Sequence, residues 1–191
     1  MLRKLTAPYL EELTSEIASA LHGAGIKPNH LTLIGLGIGF LAGMAYALDF
    51  FFFGAMLLIS SGICDVIDGA LARKNGDETQ FGGFLDSVSD RYADFFIFSG
   101  ILIYYMNNLR FGTVILVLAV MLGSLLTSYT KARMECFPAK CDVGLIERAE
   151  RLILVFIGSF FHLMIPALWI LAIFGNITAL QRIFLAKERL R

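Results

Sequence analysis

The sequence predicts an all-α integral membrane protein: six transmembrane helices preceded by an amphipathic helix along the membrane surface. Three observations carry this expectation. The 191-residue chain is 57% hydrophobic, with a mean hydropathy of +0.72, which is too apolar for a soluble domain. Its apolar residues gather into runs of the length a bilayer requires. Its basic residues gather in the loops on one side of those runs. Sixteen basic and sixteen acidic residues cancel, so nothing in the charge balance implies a nucleic-acid partner.

In chain order, Leu2, Leu5, Tyr9, Leu13, Ile17 and Leu21 recur at helical spacing, with Arg3, Lys4, Glu11, Glu12 and Glu16 between them. This predicts an amphipathic helix over residues 1–25, too polar to span, lying on the membrane or packed on the protein itself. With no apolar h-region, it does not read as a cleaved signal. A single domain of six spans follows over residues 31–186, each span near the ~20 residues a bilayer needs. The runs are Leu31 to Leu48, Phe51 to Leu71, Phe84 to Met106, Phe111 to Thr130, Leu145 to Leu163 and Ile165 to Phe184, the last two divided near Pro166. In the first, Gly35, Gly39 and Gly43 form a small-residue row suited to close helix packing, or to a ligand approaching the backbone.

Six spans put both termini on one side. On that side lie Arg3, Lys4, Lys27, Arg73, Lys74, Lys131, Arg133, Lys140, Arg148, Arg151, Arg182, Lys187, Arg189 and Arg191. The opposite loops hold Arg110 alone. The positive-inside rule then makes both termini cytoplasmic. Cys64, Cys136 and Cys141 lack zinc-ligand spacing. Cys136 and Cys141 are close enough to pair, although free thiols fit a cytoplasmic face better.

The stretch from Asp65 to Asp90, DVIDGALARKNGDETQFGGFLDSVSD, is where chemistry concentrates. Asp65 and Asp68 are three apart near the end of the second span, and Asp86 and Asp90 four apart near the start of the third. Each pair therefore shares a helical face. The short polar turn between the spans makes them antiparallel neighbours, which sets all four carboxylates at one depth. Four such charges in low dielectric repel and protonate unless a cation joins them. An all-oxygen set suits Mg²⁺ or Mn²⁺. Polar packing between helices accounts for one aspartate better than for four. A proton or cation pathway is the other functional reading, but the acids crowd at one end instead of forming a ladder. Gly69, Gly82 and Gly83 allow close approach to a bulky ligand, and Arg73 can aim a guanidinium at a phosphate. Together these residues describe a site for a diphosphate.

The pattern Asp65-x2-Asp68-Gly69-x2-Ala72-Arg73-x8-Gly82-x3-Asp86-x3-Asp90 fixes eight positions over 26 residues. It resembles, without departure, the signature of the CDP-alcohol phosphotransferases. The resemblance implies a membrane enzyme that transfers a substituted phosphate from a CDP-linked lipid to an alcohol and releases CMP. It implies that Asp65, Asp68 and Asp86 bind metal, and that Asp90 contacts metal and acts as general base toward the acceptor hydroxyl. By the same resemblance Asn29, Thr32, Gly69, Arg73, Thr79 and Gly82 line the CDP-lipid site, although Asn29 alone reads as a helix N-cap. A homodimer is implied as well.

A second cationic group, Lys131, Arg133, Arg148 and Arg151, lies on the same side as the aspartates. Loop charge and lipid headgroup contact explain such residues generically. Convergent arginines can also hold a phosphate on the acceptor. The run from Ser128 to Arg133, followed by Gly144 to Arg151, resembles the family members that use inositol phosphate. That implies 1L-myo-inositol 1-phosphate as acceptor, with CDP-archaeol or CDP-diacylglycerol as donor. Glycerol 3-phosphate is the rival acceptor, and an ion-coupled transporter the rival of another class. Asp94, one turn past Asp90, reads as support for the polar face. Trp169, Tyr104 and Tyr105 read as interfacial aromatics, and Arg182 as part of a cytoplasmic helix end.

Overall fold

The computed structural model describes residues 17–18, 20–23, 25–137, 141 and 143–190. Among them there is no strand. Most of the expected amphipathic helix lies outside the described residues. Its last part is helical at 17–18 and 20–23, where Ala18 is fully buried against Leu31 and Leu71. That portion packs on the protein.

The main helices follow in order: α1 Pro28–Ala47, α2 Phe51–Asn75, α3 Gln80–Asn107, α4 Phe111–Glu135, α5 Arg148–Phe160 and α6 Met164–Arg189. Four of them, α1, α2, α4 and α6, are long and apolar enough to cross a bilayer, which makes this a multi-pass membrane protein. The other two depart from the expected spans for physical reasons. α3 has the length but carries Asp86, Asp90, Arg91 and Asp94 along one stretch. α5 has 13 residues, about 20 Å of helix at 1.5 Å per residue. It starts late because the Leu145 and Ile146 N–H groups donate to Thr178 Oγ1, at 3.0 and 3.3 Å, in place of helical acceptors.

Helix boundaries follow local chemistry. α1 begins with Pro28 at its first position and the extended Lys27 as N-cap. Asn29, read from sequence as a cap, sits instead in the first turn, because proline's fixed φ suits the position it takes. α2 stops at Gly76, whose φ of 67° is the left-handed cap conformation. Thr79 caps α3, its hydroxyl accepting from Gly82 N–H at 2.9 Å. Between α5 and α6 the chain breaks at Phe161–Leu163. Pro166 then falls within the first turn of α6, where a missing N–H leaves no helical bond unmade.

α1 packs most extensively on α2 and α3, and α4 on α6, while α5 closes against α2 and α6. The glycine row of α1 serves this packing. A Cβ at Gly35 would stand 3.1 Å from that of Cys64, and one at Gly39 would stand 3.2 Å from that of Ala93. Gly43 presses on the Phe96 carbonyl, and Gly100 of α3 on the backbone of Gly43. Tyr46, Leu58, Phe98, Ile101, Val117, Val155 and Leu168 form the core. Within it the Tyr46 and Ser159 hydroxyls meet at 2.9 Å. Tyr105 belongs to this core, where its ring packs on that of Tyr104, so it is not the interfacial residue its position suggested. The three cysteines are free thiols.

Candidate active site

The antiparallel pair α2–α3 brings the aspartates together near its connecting turn. Asp68 lies about 10 Å before the end of α2, seven residues at 1.5 Å each. Carboxylate oxygens of Asp65, Asp68 and Asp86 all lie within 4.8 Å of one another. Asp68 is buried and accepts from the Thr32 hydroxyl at 2.6 Å, so α1 orients it. Asp86 Oδ1 is buried with no hydrogen-bond partner. An orphaned carboxylate oxygen facing two further carboxylates fits a hard divalent cation held by Asp65, Asp68 and Asp86. Asp90 stands beside this triad. Arg148 Nη1 joins the two parts, 2.7 Å from Asp90 Oδ1 and 2.9 Å from Asp65 Oδ2. Arg91 approaches Asp90 to 3.7 Å. A cavity of about 240 Å³ opens here, bounded by Thr32, Gly35, Asp65, Asp68, Asp90 and Arg148 among others.

The residues expected to line the CDP-lipid site fall into two nearby groups at the same end of α1–α3. A Cβ on Gly82 would stand 3.0 Å from Thr79 Oγ1 and 3.3 Å from Asn29 Oδ1, so Asn29, Thr79 and Gly82 converge. The Arg73 guanidinium lies over Gly69, with Nη1 3.2 Å from where a Cβ would be. A side chain at position 69 would push that guanidinium aside.

The four cations expected to bind the acceptor are distributed differently. Arg148 is drawn in among the aspartates. Arg151 is 5% exposed and pairs with Asp94 at 2.9 Å, while the Ser124 hydroxyl donates to the same Asp94 oxygen at 2.8 Å. Lys131 reaches Glu147 at 3.8 Å, next to Arg148 in the chain. Arg133 lies outward, its guanidinium 5.3 Å above the Phe137 ring.

Sequence reasoning missed Arg182. It is 2% exposed and donates to the Val143 and Thr127 carbonyls at 2.9 and 2.7 Å and to Glu147 at 3.1 Å. It thereby ties the segment before α5 to α4 and α6. An arginine preceded by a run of apolar residues was the available signal, but its place near the chain's end made a solvated helix tip the simpler reading.

Residues 26–185 match the sequence profile of the CDP-alcohol phosphatidyltransferases. The chain belongs to this family. It is a transferase of phospholipid synthesis, and its acidic cluster suits the Mg²⁺ or Mn²⁺ that such enzymes use. Similar proteins extend over nearly its whole length. An archaetidylinositol phosphate synthase of Pyrococcus horikoshii is 36% identical, covering 100% of this chain and 98% of its own. A phosphatidylinositol phosphate synthase of Mycobacteroides abscessus is 35% identical over 93% of this chain and 85% of its own. Among crystal structures, phosphatidylinositol phosphate synthase of Mycobacterium tuberculosis with CDP-DAG bound superposes with a TM-score of 0.84, at 32% identity, over 91% of this chain and 92% of that one. The same enzyme in complex with manganese and citrate also gives 0.84, at 31% identity, over 91% and 88%.

Proposed function

We propose that this transferase moves the lipid phosphate of a CDP-linked lipid, CDP-archaeol or CDP-diacylglycerol, onto 1L-myo-inositol 1-phosphate and releases CMP. The observation that carries the acceptor assignment is the position of Arg148, a cation within 2.7 Å of Asp90. A phosphate drawn to that guanidinium brings its own polyol hydroxyl beside the Asp90 carboxylate. An acceptor without a phosphate gains nothing from Arg148, and relatives named for inositol phosphate products carry the same preference.

In the reaction, the acceptor hydroxyl oxygen bonds to the lipid-side phosphorus as the bond from that phosphorus to the oxygen of CMP breaks. Asp90 takes the hydroxyl proton during attack, which suits a weak nucleophile at neutral pH. Asp65, Asp68 and Asp86 hold the metal, with Asp90 at its edge. When bound, Mg²⁺ or Mn²⁺ supplies charge neutralisation on the diphosphate and on the departing CMP. Arg73, with Gly69 beneath it, binds the diphosphate, while Asn29, Thr32, Thr79 and Gly82 shape the nucleotide end. Lys131 and Arg148 bind the acceptor's phosphate, with Arg133 and Arg151 completing the positive field.

The same proposal covers the setting. The chain is one membrane domain crossing the bilayer six times, with α3 and α5 spanning inside the bundle. Its termini and site face the cytoplasm, where CMP and the polyol phosphate dissolve, and it acts as a homodimer in the manner of the family.

The test is CMP release from a CDP-linked lipid with Mg²⁺, in parallel reactions offering inositol 1-phosphate, glycerol 3-phosphate or free inositol. Release with inositol 1-phosphate alone supports the assignment. A preference for glycerol 3-phosphate keeps the chemistry and overturns the acceptor. No release with any of the three, from folded and metal-loaded protein, overturns the reaction.

A further inference from the structure

Arg148 stands where two demands conflict. One nitrogen, Nη1, holds Asp90 at 2.7 Å and Asp65 at 2.9 Å, and Asp65 is also a member of the triad whose oxygens lie within 4.8 Å. A dication in the triad needs the Asp65 carboxylate that the guanidinium holds, and it repels the guanidinium at short range. Arg148 therefore cannot keep its Asp65 contact when the triad is filled.

The side chain is suited to leaving. Its Nε is buried without a hydrogen-bond partner, so the present pose satisfies the guanidinium incompletely. It projects from the first residue of α5, directly after Glu147, which faces Lys131 at 3.8 Å. Arg151, one turn further along, is fixed on Asp94 at 2.9 Å and is 5% exposed. α5 is thus anchored while Arg148 at its tip is free to turn. Rotation away from Asp65 carries the charge toward the end that Lys131 occupies.

We infer that Arg148 is a built-in counter-ion displaced by the metal, so that divalent cation and phosphorylated acceptor each strengthen binding of the other. Without metal, Arg148 neutralises Asp65 and Asp90 and is withheld from the acceptor. Metal binding displaces it, and the acceptor phosphate captures it in the displaced position. By linkage the acceptor raises metal affinity by the same factor that the metal raises acceptor affinity. This rests on the metal and acceptor roles proposed above and adds an order to them: metal first, phosphorylated alcohol second.

The experiment uses full-length protein in detergent, with Mn²⁺ binding followed by electron paramagnetic resonance of the free ion. Arg148→Gln removes the competitor, and its Mn²⁺ affinity rises about tenfold, within the usual range of couplings between sites. Inositol 1-phosphate tightens Mn²⁺ binding to the unmodified protein by a similar factor and leaves Arg148→Gln unchanged. Coupling that persists in Arg148→Gln means that the phosphate binds the ion directly, which overturns the inference. Equal or weaker Mn²⁺ binding by Arg148→Gln also overturns it, while leaving the metal site itself intact. Full Mn²⁺ binding by Asp68→Asn instead overturns the metal site, and the inference with it. A measurement on unmodified protein guards against a variant that fails to fold. Phenylglyoxal modification of Arg148, mapped by peptide mass spectrometry, rises several-fold on adding Mn²⁺. Unchanged modification overturns the displacement.

Discussion

Single side chains divide the polar residues of this membrane interior into those that react and those that hold. Asp90 lies outside the close triad and touches only cations, Arg148 and Arg91. Asp90→Asn therefore retains Mn²⁺ binding but loses CMP release by about 10² to 10⁴-fold, the usual worth of a positioned base. Parallel metal-binding and turnover assays check the separation. Asp94 and Arg151 answer differently. Both are buried, and each holds the other at 2.9 Å. Arg151→Met strands a carboxylate and destabilises the fold by about 3–5 kcal/mol. Arg151→Met with Asp94→Leu recovers much of that, as unfolding of purified variants in denaturant will show. The aspartates were legible in the sequence because helical spacing alone aligns 65 with 68 and 86 with 90. The pairing of Arg148 with Asp65 and Asp90 was not, because it depends on where α5 docks against α2, and no local pattern encodes that. Arg151 was misjudged for the same reason: its spacing from Arg148 suggested a shared partner, whereas burial against α3 gave it one of its own.

Among the helices, close approach is the organising constraint. α1 meets α3 where Gly100 abuts the backbone of Gly43 and where Gly39 faces Ala93. This crossing also sets Thr32 against Asp68, since Thr32 and Gly39 lie on the buried face of α1. Gly100→Ala inserts a methyl into backbone that has no rotamer to yield. It lowers stability by about 1–3 kcal/mol, as overpacking does. Gly37→Ala, with nothing within 4 Å of its Cβ, leaves thermal unfolding in detergent unchanged or slightly improved. The glycine row was visible in the sequence, and packing is what it serves. Helix order was visible as well, because apolar runs and turn residues are local. The length of α5 was not. Its first residues give up helical bonding for the Thr178 hydroxyl, a partner more than thirty positions away in the chain.

For the molecule as a whole, the membrane determines what topology can mean. α4 has the highest hydropathy of the four candidate spans, 2.2, and joins two segments of opposite character. Before it lies the turn at Asn108 and Arg110, the one basic residue of its side. After it come Arg133, Cys136 and the approach to Arg148. If the positive-inside rule governs, the first segment faces outward and the second faces the cytoplasm together with the aspartate site. Two exposed positions test this: Cys136, already a free thiol, and Asn108, replaced by cysteine. A membrane-impermeant maleimide labels Asn108→Cys in right-side-out vesicles and Cys136 in inside-out vesicles, each mapped by peptide mass spectrometry. Labelling of both from one face would deny that α4 crosses. Reversal of the two would put the site on the outer face, away from cytoplasmic CMP and polyol phosphate, and the proposed acceptor would have to be abandoned with the orientation. The expected pattern ties chemistry to topology. One set of basic residues then orients the chain in the bilayer and supplies the cations that face the aspartates.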